Sequence, residues 1–155
     1  MSPTVAASLG GLAATLPMTV AMEAMFRGLS IPQRYPLPPR RISMRLAETL
    51  GMKHDLDEQE RLAVTLLNHF GYGTAAGAVY GLLARRLLPG ALGGAVYGLG
   101  VWAGSYLGLL PATGLYPSAA EESARRNALM IAAHLVWGAA LGTVTQALVE
   151  EDAQE

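Results

Sequence analysis

Four long stretches without a charged side chain constrain this chain more than any other feature. They cover Met1–Met22, Leu62–Ala84, Leu87–Ala120 and Asn127–Val149, and each has at least 22 residues. About 20 helical residues, each rising about 1.5 Å, cross a hydrocarbon core of roughly 30 Å. The pattern therefore predicts an all-α polytopic membrane protein, a single domain with four transmembrane helices.

A soluble four-helix bundle is the alternative that these lengths allow. Its helices would carry charges at every third or fourth position on one face, and none of the four stretches does. Charged residues make up 15% of the chain, whereas an ordinary soluble domain has about 25%. The first stretch has no basic residue before Arg27 and is too long for a signal core, so we expect the first helix to be retained.

Several function classes are excluded or disfavoured by composition and motif. The formal net charge of −1 gives no basic field for nucleic acid. The chain has no cysteine, which excludes disulfides and thiolate metal sites. It also lacks the Gly-x-Ser-x-Gly, P-loop, His-Glu-x-x-His and dinucleotide-binding patterns. The sequence therefore favours a non-enzymatic protein, with no catalytic residue and no metal site assigned.

Start and stop signals place the four long helices at residues of about 3–26, 58–88, 91–110 and 119–149. Asp57 with Glu60, and Ser118 with Glu121, have capping-box spacing at the second and fourth helix starts. These pairs therefore define the two starts.

A Pro/Arg-rich loop, residues of about 27–57, separates the first two helices. Its proline-rich part, 31–39, is predicted to be extended. Residues of about 40–50 are predicted to form a short amphipathic helix, because Ile42, Leu46 and Leu50 share one face. Gly51 follows as a stop signal.

Lysine and arginine predict the orientation. The first and third loops carry nine of these residues, and the opposite side carries only Arg85 and Arg86. Both termini are therefore expected outside the cytoplasm. Arg40, Arg41 and Arg45 would then face the anionic cytoplasmic leaflet of the lipid bilayer as candidate headgroup contacts. The alternative is that these arginines only set the topology.

Glycines at a spacing of four residues mark the expected helix contacts, because small residues let backbones approach closely in lipid. The positions assigned to helix packing are Gly73, Gly77, Gly81, Gly94, Gly98, Gly104, Gly138 and Gly142. Such ladders are typical of a compact bundle or of a subunit interface. We therefore expect a homo-oligomer or a subunit of a larger membrane complex.

The second and fourth helices share an internal repeat. Each has an arginine, a histidine eight residues later, and glycines four and eight residues after the histidine. The two copies are Arg61, His69, Gly73, Gly77 and Arg126, His134, Gly138, Gly142. The repeat predicts two helical hairpins with the same membrane orientation.

Three ionisable residues are predicted at bilayer depth, where such groups are costly: Glu23, His69 and His134. Asn68 and Tyr72 are candidate polar neighbours, and Asn68, Tyr72, Tyr106 or a carbonyl could be hydrogen-bond partners of the histidines. The histidines are expected to face the bundle interior within reach of each other, with Glu23 on the same side. In the alternative interpretation, Glu23 pairs with Arg27, four residues later.

Four interpretations of the histidines stay open. They form interhelical hydrogen bonds, a proton or ion path, a two-histidine, one-carboxylate metal site, or the axial ligands of a b-type haem. The expected function is a small integral membrane protein, without a cofactor, that packs into an oligomer or complex and modulates proton or ion passage. The alternative is a redox membrane protein with haem between His69 and His134.

Three segments in this order carry a family resemblance. Pro36–Ile42 precedes the amphipathic segment, His69–Gly73 leads into Gly77–Gly81, and Arg125–Leu129 leads into His134–Gly138. Together they resemble the YagU-like small multi-pass proteins of bacterial inner membranes. The resemblance implies a bacterial inner membrane and brings no activity, substrate or cofactor with it.

Overall fold

The computed structural model describes residues 1–86 and 89–154, and all regular structure in them is helical. The α-helices are α1 (Pro3–Arg27), α2 (Pro38–Thr49), α3 (Glu58–Val79), α4 (Gly90–Gly104), the short α5 (Leu110–Ala112) and α6 (Ala124–Asp152). A π-helix, Tyr80–Ala84, extends α3, and a second one, Ser105–Leu109, joins α4 to α5. The predicted end of the second helix near residue 88 lies outside the described residues.

Local signals explain two of the helix ends. The capping box at α3 is confirmed, because Asp57 Oδ1 accepts from the Glu60 N–H at 2.9 Å and Glu60 Oε2 accepts from the Asp57 N–H at 2.8 Å. Gly51 follows α2 with a φ of 73°, a left-handed conformation that glycine adopts without strain. Its role as a stop signal is therefore also confirmed.

Two local predictions are wrong. Ser118 and Glu121 cap only a 3-10 turn, Ala119–Glu121, and α6 begins after it with Ser123 as its N-cap. The chain is extended at Glu122, whose carboxylate accepts hydrogen bonds from two tyrosines, so no helix continues through this residue. The proline-rich loop also contains a 3-10 turn, Ile31–Gln33, where an extended segment was predicted.

The four long helices α1, α3, α4 and α6 form a bundle in which α1 packs on α3 and α6, and α6 packs on α4. Glycines make these contacts close. A Cβ at Gly77 would overlap the Ala7 carbonyl oxygen, and a Cβ at Gly94 would overlap the carbonyl of Gly138. Similar overlaps arise at the other predicted positions Gly73, Gly81, Gly98, Gly138 and Gly142. The α1–α3 and α4–α6 pairs are therefore antiparallel, with backbone lying against backbone.

Gly104 differs from the other predicted packing positions. A Cβ at Gly104, or at its ladder neighbours Gly100 and Gly108, would meet nothing within 4 Å. The residues from Gly98 to Gly104 turn the helix by about 600°, which moves Gly104 well off the face that meets α6. The ladder Gly100, Gly104, Gly108 therefore makes no close helix contact within the described chain.

The outer surface of the bundle carries many apolar side chains. Large apolar side chains are exposed there, among them Leu16, Val20, Leu67, Leu83 and Leu92. Two helices, α1 and α6, are long and apolar enough to cross a membrane by length and composition.

Among the described residues, the other two predicted spans do not reach the same length and apolarity. The α4 helix has 15 residues before its π-helix, and α3 contains the polar Asn68 and His69. The described residues therefore contain two candidate membrane spans, α1 and α6.

Candidate functional site

A cavity of about 460 Å³ lies between α1, α2, α3, α6 and the segment from α4 to α5. The residues that line it include no Lys, Arg, Asp or Glu in the described part of the chain. Most of its wall is apolar, with Met18, Ile42, Leu46, Val101 and Leu110 among the contributors. Its polar side chains are Thr15, Ser43, Asn68, His69, Tyr72, Ser105, Tyr106, His134 and Trp137. The site is therefore uncharged, with a small set of hydrogen-bonding groups.

Both predicted histidines lie in the wall of this cavity, His69 from α3 and His134 from α6. His134 is 5% exposed, and its Nδ1 bonds to the Met130 carbonyl at 2.8 Å. Its ring meets the Tyr106 ring edge-on, with centroids 5.9 Å apart. The Nε2 of His69, in contrast, is buried without a hydrogen-bond partner among the described residues.

Asn68 and Tyr72 connect α3 to its neighbours at the cavity wall. Asn68 Nδ2 donates to Ser43 Oγ of α2 at 3.2 Å. The Tyr72 hydroxyl and Ser105 Oγ form a hydrogen bond of 2.8 Å between α3 and the π-helix after α4. These two predicted polar residues therefore tie the helices around the cavity together.

The π-helix after α4 supplies two wall residues, Ser105, which the sequence analysis did not assign, and Tyr106, which it named as a possible partner of the histidines. A π-turn inserts an extra residue, which changes the face on which the following side chains lie, and such turns are frequent at functional sites. Trp137 was also missed; it lies between the predicted His134 and Gly138, and its Nε1 donates to the Gly11 carbonyl at 3.2 Å. The π-turn has no distinguishing residue pattern in the sequence.

Glu23 does not join the histidines, so the expected polar triad is not formed. Its side chain is 54% exposed, and it does not line the cavity. Its carboxylate lies 3.6 Å from Arg27 Nε, the pairing that the alternative interpretation predicted. Met18 and Met22 occupy the buried face of α1 instead, because apolar side chains there meet the other helices.

Because Glu23 does not line the cavity, the predicted metal site of two histidines and one carboxylate lacks its carboxylate ligand. Among the residues that the structure describes, no group of three or more His, Asp or Glu side chains is placed to hold a metal ion. His69 and His134 are the residues of the cavity that could serve as axial ligands of a haem.

A second polar cluster, which the sequence analysis missed, surrounds Arg126 at the start of α6. Its side chain is only 4% exposed. Its guanidinium donates to the carbonyls of Gln33, Tyr35 and Pro36 at 2.9, 3.1 and 3.3 Å, and its Cζ lies 3.6 Å from the Tyr35 ring centroid. Arg126 therefore fastens the loop after α1 onto α6.

Glu122 completes this cluster. Its carboxylate lies 3.4 Å from Arg126 Nε and accepts hydrogen bonds from Tyr35, Tyr116 and Arg41. Burial opposes the charged form, but the hydrogen bonds and the two arginines outweigh it and lower the pKa of Glu122. Burial and the bond to Glu122 raise the pKa of Tyr116 to about 12, so this hydroxyl remains a donor.

The three arginines assigned to lipid headgroups each face a carboxylate of the same chain. Arg40 donates to both oxygens of Glu58 at 2.9 and 2.8 Å. Arg41 pairs with Glu122 at 3.3 Å, and Arg45 pairs with Glu48 at 2.8 Å. The hydrogen bonds from Arg45 and Lys53 lower the pKa of Glu48.

Together, the fold and the cavity define a class: an all-helical protein in its described residues, with many exposed apolar side chains, two helices able to cross a membrane, and an uncharged cavity. The chain belongs to the DUF1440 family, described as a protein of unknown function, whose model matches residues 21–143. The match is consistent with the uncharacterised family that the sequence resembled. No curated protein and no solved structure matches the chain.

Proposed function

We propose that this chain is an integral membrane protein that binds an uncharged, hydrophobic small molecule in its cavity. The observation that carries the proposal is the cavity wall, which is largely apolar and has no charged side chain in the described residues. Ligand sites are typically concave and apolar, with a few placed polar groups. The wall of this cavity has that composition.

We also propose that all four long helices cross the membrane: α1, α3, α4 and α6. The exposed large side chains on these helices include many leucines and valines, whereas Thr15, Thr145 and His134 are buried inside the bundle. Exposed apolar surface on every side of a bundle is costly in water and favourable in lipid. This distribution supports a bilayer around all four helices.

The orientation follows from the arginines and lysines, nine on one side and two on the other. We place both termini outside the cytoplasm of a bacterial inner membrane. A periplasm-active reporter fused to the C-terminus is expected to be active, and the same reporter inserted beside Lys53 is expected to be silent. The reverse result would overturn this orientation.

The rim of the cavity supports entry from the bilayer. Leu67 and Leu109 line the cavity and are also 74% and 55% exposed on the outer surface. In a membrane these exposed side chains would face lipid tails. A hydrophobic molecule dissolved in the bilayer would therefore reach the cavity without crossing water.

The uncharged wall favours binding over passage of protons or ions, because an ion in such a site loses its hydration without gaining a partner. Passage would need an oligomer with additional polar surface. The open ladder Gly100, Gly104, Gly108 supports such an assembly, since small residues that contact no other helix in the described chain are available to a second copy.

Mass spectrometry of small molecules retained by the detergent-purified protein tests the binding proposal. We expect Val101→Trp, which fills the cavity, to lose the retained molecules. Leu107→Trp adds the same side chain at an exposed position outside the cavity and is expected to retain them. Equal retention by both variants, or none by the wild type, would contradict the proposal.

The haem alternative is tested on the same preparation, because both histidines that it needs lie in one cavity wall. A Soret band that is lost in both His69→Ala and His134→Ala would favour haem. A colourless pure protein that retains apolar molecules would favour the binding proposal.

A further inference from the structure

We infer that the ligand of this cavity is a membrane-soluble quinone, a planar uncharged ring with carbonyl oxygens and an apolar tail. The inference rests on the proposed function, because it names the class of molecule that the cavity binds. Three features of the wall carry it: its rings, its unused hydrogen-bonding groups, and its lack of charge.

Ring-bearing side chains from three segments line the cavity. His69 and Tyr72 come from α3, Tyr106 comes from the π-helix after α4, and His134 and Trp137 come from α6. Stacked and edge-to-face contacts favour planar rings over flexible alkyl chains. The cavity therefore offers a planar ligand contacts on several sides.

Two polar groups of wall residues lack a hydrogen-bond partner among the described residues. The Nε2 of His69 makes no hydrogen bond. Tyr106 is 6% exposed, and its hydroxyl makes no hydrogen bond with another described residue. Buried polar groups are nearly always hydrogen-bonded, so an unpartnered group in a cavity wall points to a ligand, and the Tyr106 hydroxyl can donate to a ligand acceptor. A quinone carbonyl is an acceptor of this kind.

His134 adds a group of the opposite kind. Its Nδ1 faces the Met130 carbonyl, which only accepts, so the proton lies on Nδ1 and the neutral ring has Nε2 as an acceptor. The wall therefore holds a donor for a quinone carbonyl, the Tyr106 hydroxyl, and an acceptor for a quinol hydroxyl, His134 Nε2. It is suited to both forms of the same molecule.

The absence of Lys and Arg from the described wall argues against the common charged lipids. A phosphate or a carboxylate in this cavity would lose its hydration without a cation to compensate. A quinone and its quinol are uncharged, so they enter without that cost. The uncharged wall therefore favours binding of a quinone over binding of a fatty acid or a phospholipid headgroup.

The two tryptophans provide a direct test, because Trp137 lines the cavity and Trp102 does not. In the Trp102→Phe variant, decylubiquinone is expected to quench Trp137 fluorescence saturably. In the matched Trp137→Phe variant, it should quench Trp102 only by unsaturable partition into the detergent. Equal, unsaturable quenching in both variants would overturn the inference.

Side-chain variants assign the binding groups on the Trp102→Phe background. His69→Phe and Tyr106→Phe keep a ring in place and remove one hydrogen-bonding group each, so each should weaken binding by about fivefold or more. Tyr97→Phe, which removes a hydroxyl bonded to the Ala76 carbonyl outside the cavity wall, should leave the Kd unchanged. An unchanged Kd in both cavity variants would contradict the assigned contacts.

Competing ligands separate this inference from the proposed function. Oleyl alcohol, which is uncharged but has no ring, and oleic acid should not displace decylubiquinone. If the purified protein retains other apolar molecules while decylubiquinone fails to bind, the quinone is excluded and the proposed function stands. If nothing is retained and nothing binds, both fail.

Discussion

The two helix pairs, α1–α3 and α4–α6, are built on one sequence pattern but have different surroundings. In each pair, glycines bring two antiparallel backbones into contact, with Gly77 against Ala7 in one and Gly94 against Gly138 in the other. The arginines and histidines of the same repeat are not equivalent. The repeat therefore determines the glycine contact that both pairs share. The segments packed around each pair determine the hydrogen bonds of its arginine and histidine.

The arginines show the larger difference. Arg126 donates to three carbonyls of the loop after α1 and pairs with Glu122. Arg61, its counterpart in the repeat, donates to the Lys53 carbonyl at 3.2 Å, and its Nε is buried without a partner among the described residues. The same residue in the same repeat position therefore anchors a distant loop by three hydrogen bonds in one pair, and makes a single bond to the adjacent loop in the other.

The histidines also differ in their hydrogen bonds, and again the residue of α6 is the better bonded one. His134 bonds to the carbonyl four residues earlier, whereas the Nε2 of His69 has no partner in the described chain. One copy of the repeat thus holds a hydrogen-bonded imidazole, and the other holds an imidazole with an unused nitrogen. The repeat determines where the rings lie and leaves their hydrogen bonds to the surroundings.

Glycine substitutions should give the largest effects and test the contact shared by the pairs. Gly77→Leu and Gly94→Leu force a side chain into a neighbouring backbone, which costs about 3 kcal/mol or more, so folded yield should fall severely. Gly104→Leu, with nothing within 4 Å, should leave the monomer as stable as the wild type. Gel filtration and thermal unfolding in detergent measure both. If Gly104→Leu lowers the folded yield and the stability as much as the other two variants do, the contact at Gly104 is equivalent to those at Gly77 and Gly94.

Arginine substitutions should give the next largest effect and test the difference between the pairs. Arg126→Ala leaves Glu122 buried without one of its two arginine partners and should destabilise the protein by about 3–5 kcal/mol. Arg61→Ala, which removes a single hydrogen bond to a carbonyl, should cost about 1 kcal/mol. Thermal unfolding of the two variants compares them directly, and a similar cost for both would make the arginines equivalent.

Acid should produce the smallest of the three effects. Because the pKa of Glu122 is lower in the folded protein than its ordinary value of 4.5, its carboxylate stabilises the fold above that pH. This stabilisation is lost as the pH falls from about 4.5 through the lowered pKa. Melting temperatures measured between about pH 7 and about pH 3 should fall more steeply in the wild type than in Glu122→Gln. Parallel profiles would show that Glu122 does not contribute.

Part of the site follows from the sequence. The repeat places His69 and His134 at matching positions, four residues before the glycines that pack each pair, and both rings line one cavity. The wrong expectation for Glu23 has a local cause. Its spacing to Arg27 already allowed an ion pair on the exposed face of α1, and only the packed structure shows that this face lies outside the bundle.

Other features needed the tertiary structure, because they depend on residues distant in the chain. Arg126 is buried by carbonyls 90 or more positions earlier, which no local pattern can indicate. The π-helix that brings Ser105 and Tyr106 to the cavity has no distinguishing residue pattern here. The cavity itself arises where α3 and the segment after α4 meet through the Tyr72 side chain.

The sequence by itself determined the helical class, the apolar surface, the capping box at α3 and the glycines that let helices touch. These properties depend on side-chain polarity, hydrogen bonds over three or four residues, and the size of a single residue. The tertiary structure alone decided which glycine ladder is in contact, which arginine anchors the distant loop after α1 and which imidazole nitrogen lacks a partner among the described residues. Those outcomes depend on the neighbour that packs against each helix face, and identical motifs therefore have different surroundings in the two pairs.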